Sequence, residues 1–162
     1  MPAPARPSAP ASPTPPRRIR WLSDLIRLEI VLWDRVDARL KRDHALPLAS
    51  FEALAALAQA PGGGGLRVGD LARALRITVG GASKLVDRVA AAGLLRREAD
   101  GEDRRASRLV LTPAGAHRFA AASATYDAEM ATVLDAALGA DDQRHLHTLV
   151  VRLLATTDAA PP

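Results

Sequence analysis

Two clusters of donor side chains dominate the chemistry open to this chain. Thr78, Ser83, Lys84 and Arg88 stand close together with Gly80 and Gly81 among them, and Arg104, Arg105 and Arg108 follow in a polar segment with Asp103. Hydroxyl, ammonium and guanidinium groups are the donors that reach base edges and phosphate oxygens, and glycine lets another backbone approach closely. The pattern fits non-covalent recognition of a polyanion rather than bond making. Ser83 beside Lys84 invites a nucleophile reading, but adjacent helical residues diverge in direction and no Asp or His is placed to activate the serine. No catalytic residue is expected. His145 and His147 are two apart on a helix and point to different faces, so they cannot share an ion within it, and His44 and His117 are isolated. No metal and no cofactor are expected.

The elements that must position these donors are legible on either side of them. Val68 to Leu75 puts Leu71, Ala72 and Leu75 on one face of a short helix and leaves Arg73 and Arg76 outside. Arg76, Ile77 and Thr78 form a turn. A second helix, Val79 to Ala92, carries Ala82, Leu85, Val86 and Val89 on one arc and Gly80, Lys84, Asp87 and Arg88 on the opposite arc. Gly80 and Gly81 lower helix propensity by roughly 1 kcal/mol each, a cost that close approach to another molecule would justify. Gly93 ends this helix. Leu94 to Glu98 then reads as a strand pairing with Ser107 to Leu111 across a loop that holds Asp100, Asp103, Arg104 and Arg105. Two helices, a turn and a basic hairpin make a winged helix-turn-helix, with Val79 to Ala92 shaped for a major groove about 12 Å wide and the hairpin tip directed to the minor groove. Asp103 is expected to stabilise the wing by pairing with one of its arginines, Arg105.

The motifs Leu71-Ala72, Ser83-Lys84-Leu85-Val86-Asp87-Arg88, Gly93-Leu94, Asp103-x-Arg105 and Leu109-x-Leu111-Thr112-x-x-Gly115 resemble those of the MarR family of bacterial transcription regulators. The resemblance spans about Arg20 to Thr156. It implies a dimer on a pseudo-palindromic operator in double-stranded DNA, and usually repression that a small ligand or an oxidant relieves. Lys84 stands where the family often has Arg, which keeps the charge and loses the bidentate fork.

Composition and pattern outside the reader agree with this expectation. The net charge of +4 is concentrated: Leu66 to Arg108 holds ten Lys/Arg against six Asp/Glu, and Met1 to Arg20 adds four arginines and no acid. With no cysteine, disulfides and thiol-based oxidant sensing are excluded. No long apolar run predicts a membrane span, and the proline-rich N-terminus does not read as a secretory signal, so a cytoplasmic protein without membrane contact is expected. Ile19 to Arg42 carries Leu28, Ile30 and Val31 beyond the stripe a monomer needs. Thr112 with Pro113 opens a long helix that Gly139 breaks, and Asp141 to Thr156 repeats Leu146, Leu149, Val150, Leu153 and Leu154 at helical spacing. The first and last helices therefore offer surface for a homodimer.

The expected fold is mainly α with a small β-hairpin wing, a winged helix-turn-helix flanked by N- and C-terminal dimerisation helices. The expected division is a disordered Pro/Ala-rich arm at 1–17, an N-terminal dimerisation helix at 18–47, the DNA-binding region at 48–111, C-terminal dimerisation helices at 112–157 and a disordered tail at 158–162. The resemblance also implies an effector pocket between the dimerisation helices and the reader, where Arg27, Trp33, Asp34, Phe51 and Glu52 are candidate neighbours. An aromatic beside a cation there would suit an aromatic acid, whereas the core-like spacing of Trp33 and Phe51 favours plain packing. Two other classes stay open: a ligand-independent architectural DNA-binding protein and a winged-helix protein-interaction module.

Overall fold

The computed structural model describes residues 16–61, 65–100 and 107–158. Its elements run α1 (Arg17–His44), α2 (Leu48–Ala58), α3 (Val68–Ala74), α4 (Val79–Ala91), β1 (Leu95–Ala99), β2 (Ser107–Leu111), α5 (Pro113–Ala137) and α6 (Ala140–Asp158). α2 is the hub, with Leu48, Phe51, Ala53, Leu54 and Leu57 all buried. α1 contributes Val36 and Leu40 to the same core, α3 and α4 contribute Leu71, Leu85, Val86 and Val89, and the wing contributes Leu95 and Leu109. Body and reader thus share one apolar interior.

Helix ends follow from local chemistry. α1 begins at Arg17, the residue expected to end the N-terminal arm, because Pro16 with φ −53° delivers the chain already turned for a helix. Its carboxylate Asp37 accepts a hydrogen bond from Leu48 N at 2.8 Å and pairs with Lys41 at 2.6 Å, which ties α1 to the first turn of α2. Arg35 donates to Glu129 at 2.9 Å and links α1 to α5.

The reader's helices close in the same way twice. After α3, Arg76 N donates to Arg73 O and Ile77 N to Ala72 O, with Arg76 in the left-handed region at φ 53°. After α4, Gly93 N donates to Ala90 O and Leu94 N to Val89 O, with Gly93 at φ 72°. β1 starts at Leu95, one residue later than the sequence pattern predicts, because the Leu94 N–H closes α4 and its carbonyl accepts from Thr112 N at 3.2 Å. β1 and β2 are antiparallel, with Leu95 opposite Leu111 and Ala99 opposite Ser107, and Leu66 adds a bridge to Leu109.

Thr112 joins three elements at one point. Its Oγ1 accepts from Gly115 N at 3.0 Å, capping α5, and donates to Gly93 O at 2.7 Å. Gly115 sits so close to the Leu94 carbonyl that an added Cβ would lie 1.8 Å from its oxygen.

α6 buries none of its described side chains. Leu146, Leu149, Val150, Val151, Leu153 and Leu154 are exposed on it, as are Ile19, Trp21, Leu22, Leu25, Ile26, Leu28, Ile30 and Val31 on α1. No helix among the described residues is long and apolar enough to cross a membrane.

Gly115→Ala is expected to destabilise the fold by about 2–3 kcal/mol, since backbone must move to admit the methyl. Urea unfolding with an unchanged midpoint would show that the start of α5 is free to shift. The Asp37 carboxyl is pushed up by burial, but Lys41 and the Leu48 N–H outweigh this and hold it below the ordinary carboxylate range. Its stabilisation is therefore present above the unfolded carboxylate pKa and lost as pH falls through the lowered folded value. Asp37→Asn is expected to lower stability at neutral pH and flatten its loss in acid, read from unfolding midpoints across pH.

Candidate nucleic-acid interface

α4 presents its N-terminal end outward. The Thr78 hydroxyl caps the helix by accepting from Gly81 N at 3.1 Å. A Cβ on Gly81 would meet that oxygen at 3.2 Å, so the cap itself favours glycine there. Gly80 differs, because an added Cβ would meet nothing within 4 Å. No described residue requires glycine at position 80, and a side chain there would project from the outer face of α4. Ile77 and Val79, 42% and 58% exposed, flank the cap as apolar groups that charge-based reasoning passes over. Ser83 is half-buried, while Lys84 and Arg88 are exposed on the open face of α4. Neither cation forms an ion pair with a described residue.

Other cations on this side are held by acids. Arg73 pairs with Asp70 at 3.1 Å within α3. Arg97 on β1 donates to Asp87 on α4 at 2.8 Å, fixing the wing against the reading helix. Asp103, Arg104 and Arg105 lie outside the described residues. The wing's described anchor is Asp100, which sequence reasoning placed in the loop and gave no role. Its side chain is fully buried, and one carboxylate oxygen accepts from Arg67 Nε at 2.8 Å and Nη2 at 2.6 Å. Its other oxygen lies 3.3 Å from Arg108 Nε. Arg108, expected to touch DNA, therefore has its guanidinium at the base of the wing with a third of its side chain exposed. Thirty-three residues separate Arg67 from Asp100, so no local pattern could have paired them.

The residues proposed for an effector pocket are not all brought together. Trp33 and Glu52 line a cavity of about 370 Å³ with Glu29, Tyr126 and aliphatic side chains of α1, α5 and α6. They also line a smaller cavity of about 230 Å³ with Arg76, Ile77 and Leu85 of the reader. Asp34 borders a shallow recess beside Trp33 and Glu29. Phe51 instead belongs to the core, its ring 5.2 Å from Tyr126 and 5.4 Å from Phe119. Arg27 faces solvent, its side chain 77% exposed and 3.6 Å from Asp24. Arg27 is not among the described residues lining either cavity, because six residues separate it from Trp33 on α1, about one and two-thirds turns, and the two side chains leave different sides of the helix. Burial pushes the Glu52 carboxyl above its ordinary range, and burial with the nearby Glu52 and Asp127 charges pushes the Tyr126 hydroxyl up.

Arg67→Met takes from a buried carboxylate its closest guanidinium, whereas Asp100→Asn leaves two partly exposed guanidinium groups that water can reach. The first substitution is expected to cost about 3 kcal/mol and the second about 1–2 kcal/mol. Equal losses in denaturant unfolding would count against Asp100 as a buried anion.

The MarR family profile matches residues 46–106, which spans α2 to the wing loop. No curated protein matches the chain. Among solved structures, AbsC, a MarR family transcriptional regulator from Streptomyces coelicolor, is 22% identical with a TM-score of 0.77, the alignment covering 93% of this chain and 99% of that one. A second MarR family transcriptional regulator from Streptomyces coelicolor, solved in complex with DNA, is 25% identical with a TM-score of 0.77 over 95% of this chain and 94% of its own. A MarR family protein from Mycobacterium tuberculosis, solved in complex with p-aminosalicylic acid, is 30% identical with a TM-score of 0.66 over 81% of this chain and 95% of its own. The winged helix-turn-helix, the capped reading helix and these matches agree, and the chain belongs to the MarR family of transcriptional regulators.

Proposed function

We propose that the protein is a homodimeric, sequence-specific repressor that binds a pseudo-palindromic operator and is released from it by a small molecule. The observation that carries the DNA reading is the outer face of α4, where a capped N-terminus, an unencumbered Gly80 and the exposed Lys84 and Arg88 stand together. In this reading α4 enters the major groove with Thr78, Gly80, Gly81 and Ser83 at base edges and Lys84 and Arg88 at phosphates. Arg104 and Arg105 carry the wing toward the minor groove, Asp103 orients Arg105, and Arg108 supports the wing from its base. A DNA complex of a 25% identical relative supports the assignment.

The dimer is supported by the exposed apolar faces of α1 and α6, which are larger than a soluble monomer ordinarily leaves in water. Two copies related by a two-fold axis would set two reading helices about one DNA turn apart, roughly 34–36 Å. Release requires a ligand that favours a dimer with wrongly spaced helices. Moving such a pair from 99:1 to 1:99 takes about 5.5 kcal/mol of differential affinity. The relative solved with p-aminosalicylic acid supports a small molecule as the effector class.

Binding-site selection from random duplex DNA, followed by salt titration on the enriched site, tests this reading. A pseudo-palindrome with half-sites one turn apart is expected; salt-dependent binding without enrichment would indicate an architectural protein, and no binding at low salt an interaction module. Arg105→Ala is expected to weaken binding to all sequences and reduce the salt slope by about one, whereas Ser83→Ala changes the ranking of sequences. Leu149→Glu is expected to convert the dimer to monomer in sedimentation and to lower operator affinity at least tenfold, roughly. A dimer unaffected by Leu149→Glu would remove α6 from the interface.

A further inference from the structure

We propose that the cavity beside Trp33 and Glu52 takes an organic cation with an apolar aromatic body, an inference that rests on the ligand-responsive reading above and names the class of ligand. Among the described residues, the charged groups lining this cavity of about 370 Å³ are both carboxylates, Glu29 and Glu52. Its volume lies within the range that holds a small organic molecule. Glu52 is half-buried and has no hydrogen bond or ion pair with a described residue. A carboxylate withdrawn from water without a partner is costly, and a cation entering the cavity supplies the partner. An anion would instead add like charge beside two acids.

The rest of the lining suits the body of such a ligand. Trp33 and Tyr126 line it with aromatic rings, which attract a cation through their quadrupole, and Leu32 and Met130 supply apolar wall together with Leu25 and Leu28 of the α1 face proposed for the dimer. Charge also fixes the orientation. Arg76 borders the smaller cavity on the reader side of Glu52, so the cationic head is directed away from it, toward Glu29 on α1. Because Trp33 and Glu52 line both cavities, a shift of either side chain on binding is felt at Arg76 and Ile77, the turn that leads into α4. The site is therefore placed to bias the reading helix as well as to hold a ligand.

Tetraphenylphosphonium and tetraphenylborate have nearly the same size and shape and opposite charge, and titration of each into the full-length protein by calorimetry separates charge preference from apolar binding. The phosphonium is expected to bind at least tenfold more tightly, roughly the effect of one charged partner at a half-buried site. Glu52→Gln is expected to weaken the phosphonium about tenfold and to strengthen the borate. Glu29→Gln, an exposed position, is expected to act in the same direction with a smaller effect. Unfolding midpoints of both variants matching the unmodified protein keep the comparison sound. Tighter binding of the borate, absence of binding by both ions, or phosphonium affinity unmoved in both variants would overturn the proposal. Calorimetry reads the cavity without DNA. Phosphonium binding that follows Glu52 yet leaves a selected operator bound would therefore uphold the cation site and overturn ligand-relieved repression.

Discussion

A contact of a few ångströms between the turn after α4 and the start of α5 sets the geometry of everything on the reading face. The Leu94 carbonyl accepts from Thr112 N, Thr112 Oγ1 donates to Gly93 O, and Gly115 leaves room for the Leu94 backbone to pass. One polar knot thus closes the reading helix, starts the wing and caps the long helix of the body. The backbone groups that helix ends leave unpaired are satisfied by each other, which excludes slack between reader and body. The shared core around α2 adds an apolar seal on the other side of the same junction. Any repositioning of α4 must therefore involve the body, which is the coupling that the proposed ligand response requires.

Charge on the reading face is divided between cations that hold the protein together and cations that do not. Arg73, Arg97, Arg67 and Arg108 answer acids of the chain itself, whereas Lys84 and Arg88 project from α4 without an acidic partner among the described residues. Basic composition alone treats these as equivalent. The buried Asp100 shows why they are not, since its guanidinium partners are committed to the wing base by a carboxylate that has no access to water.

The sequence made the local elements readable. The spacing of Leu71, Ala82, Leu85, Val86 and Val89 predicts both reader helices in phase, and Thr112 with Pro113 predicts the start of α5, because these signals lie within one turn of the structure they specify. Gly93-Leu94 and Thr112-x-x-Gly115 were visible as separate motifs, but their interlocking was not, since nineteen residues separate Gly93 from Thr112. The Asp100–Arg67 pair was illegible for the same reason. Which of Arg27, Trp33, Phe51 and Glu52 border a cavity was illegible for another: α1 is apolar around much of its circumference and α2 is buried on most of its faces, so periodicity cannot say which side meets a cavity and which meets the core. The left-handed Arg76 also carried no signal, since the turn is closed by its backbone and glycine is the residue usually read there.

That none of the described side chains of α6 is buried has a consequence for how the chain becomes ordered. A helix of nineteen residues is only marginally stable by itself in water, and little of the chain's own interior rewards its formation. In the proposed homodimer a second copy covers its apolar face, so abundance becomes a folding variable. When the protein is scarce, its C-terminal segment is the first to fray and to be cut by proteases. When it is plentiful, the same segment is protected, and the cell's stock of intact protein rises more steeply than its synthesis.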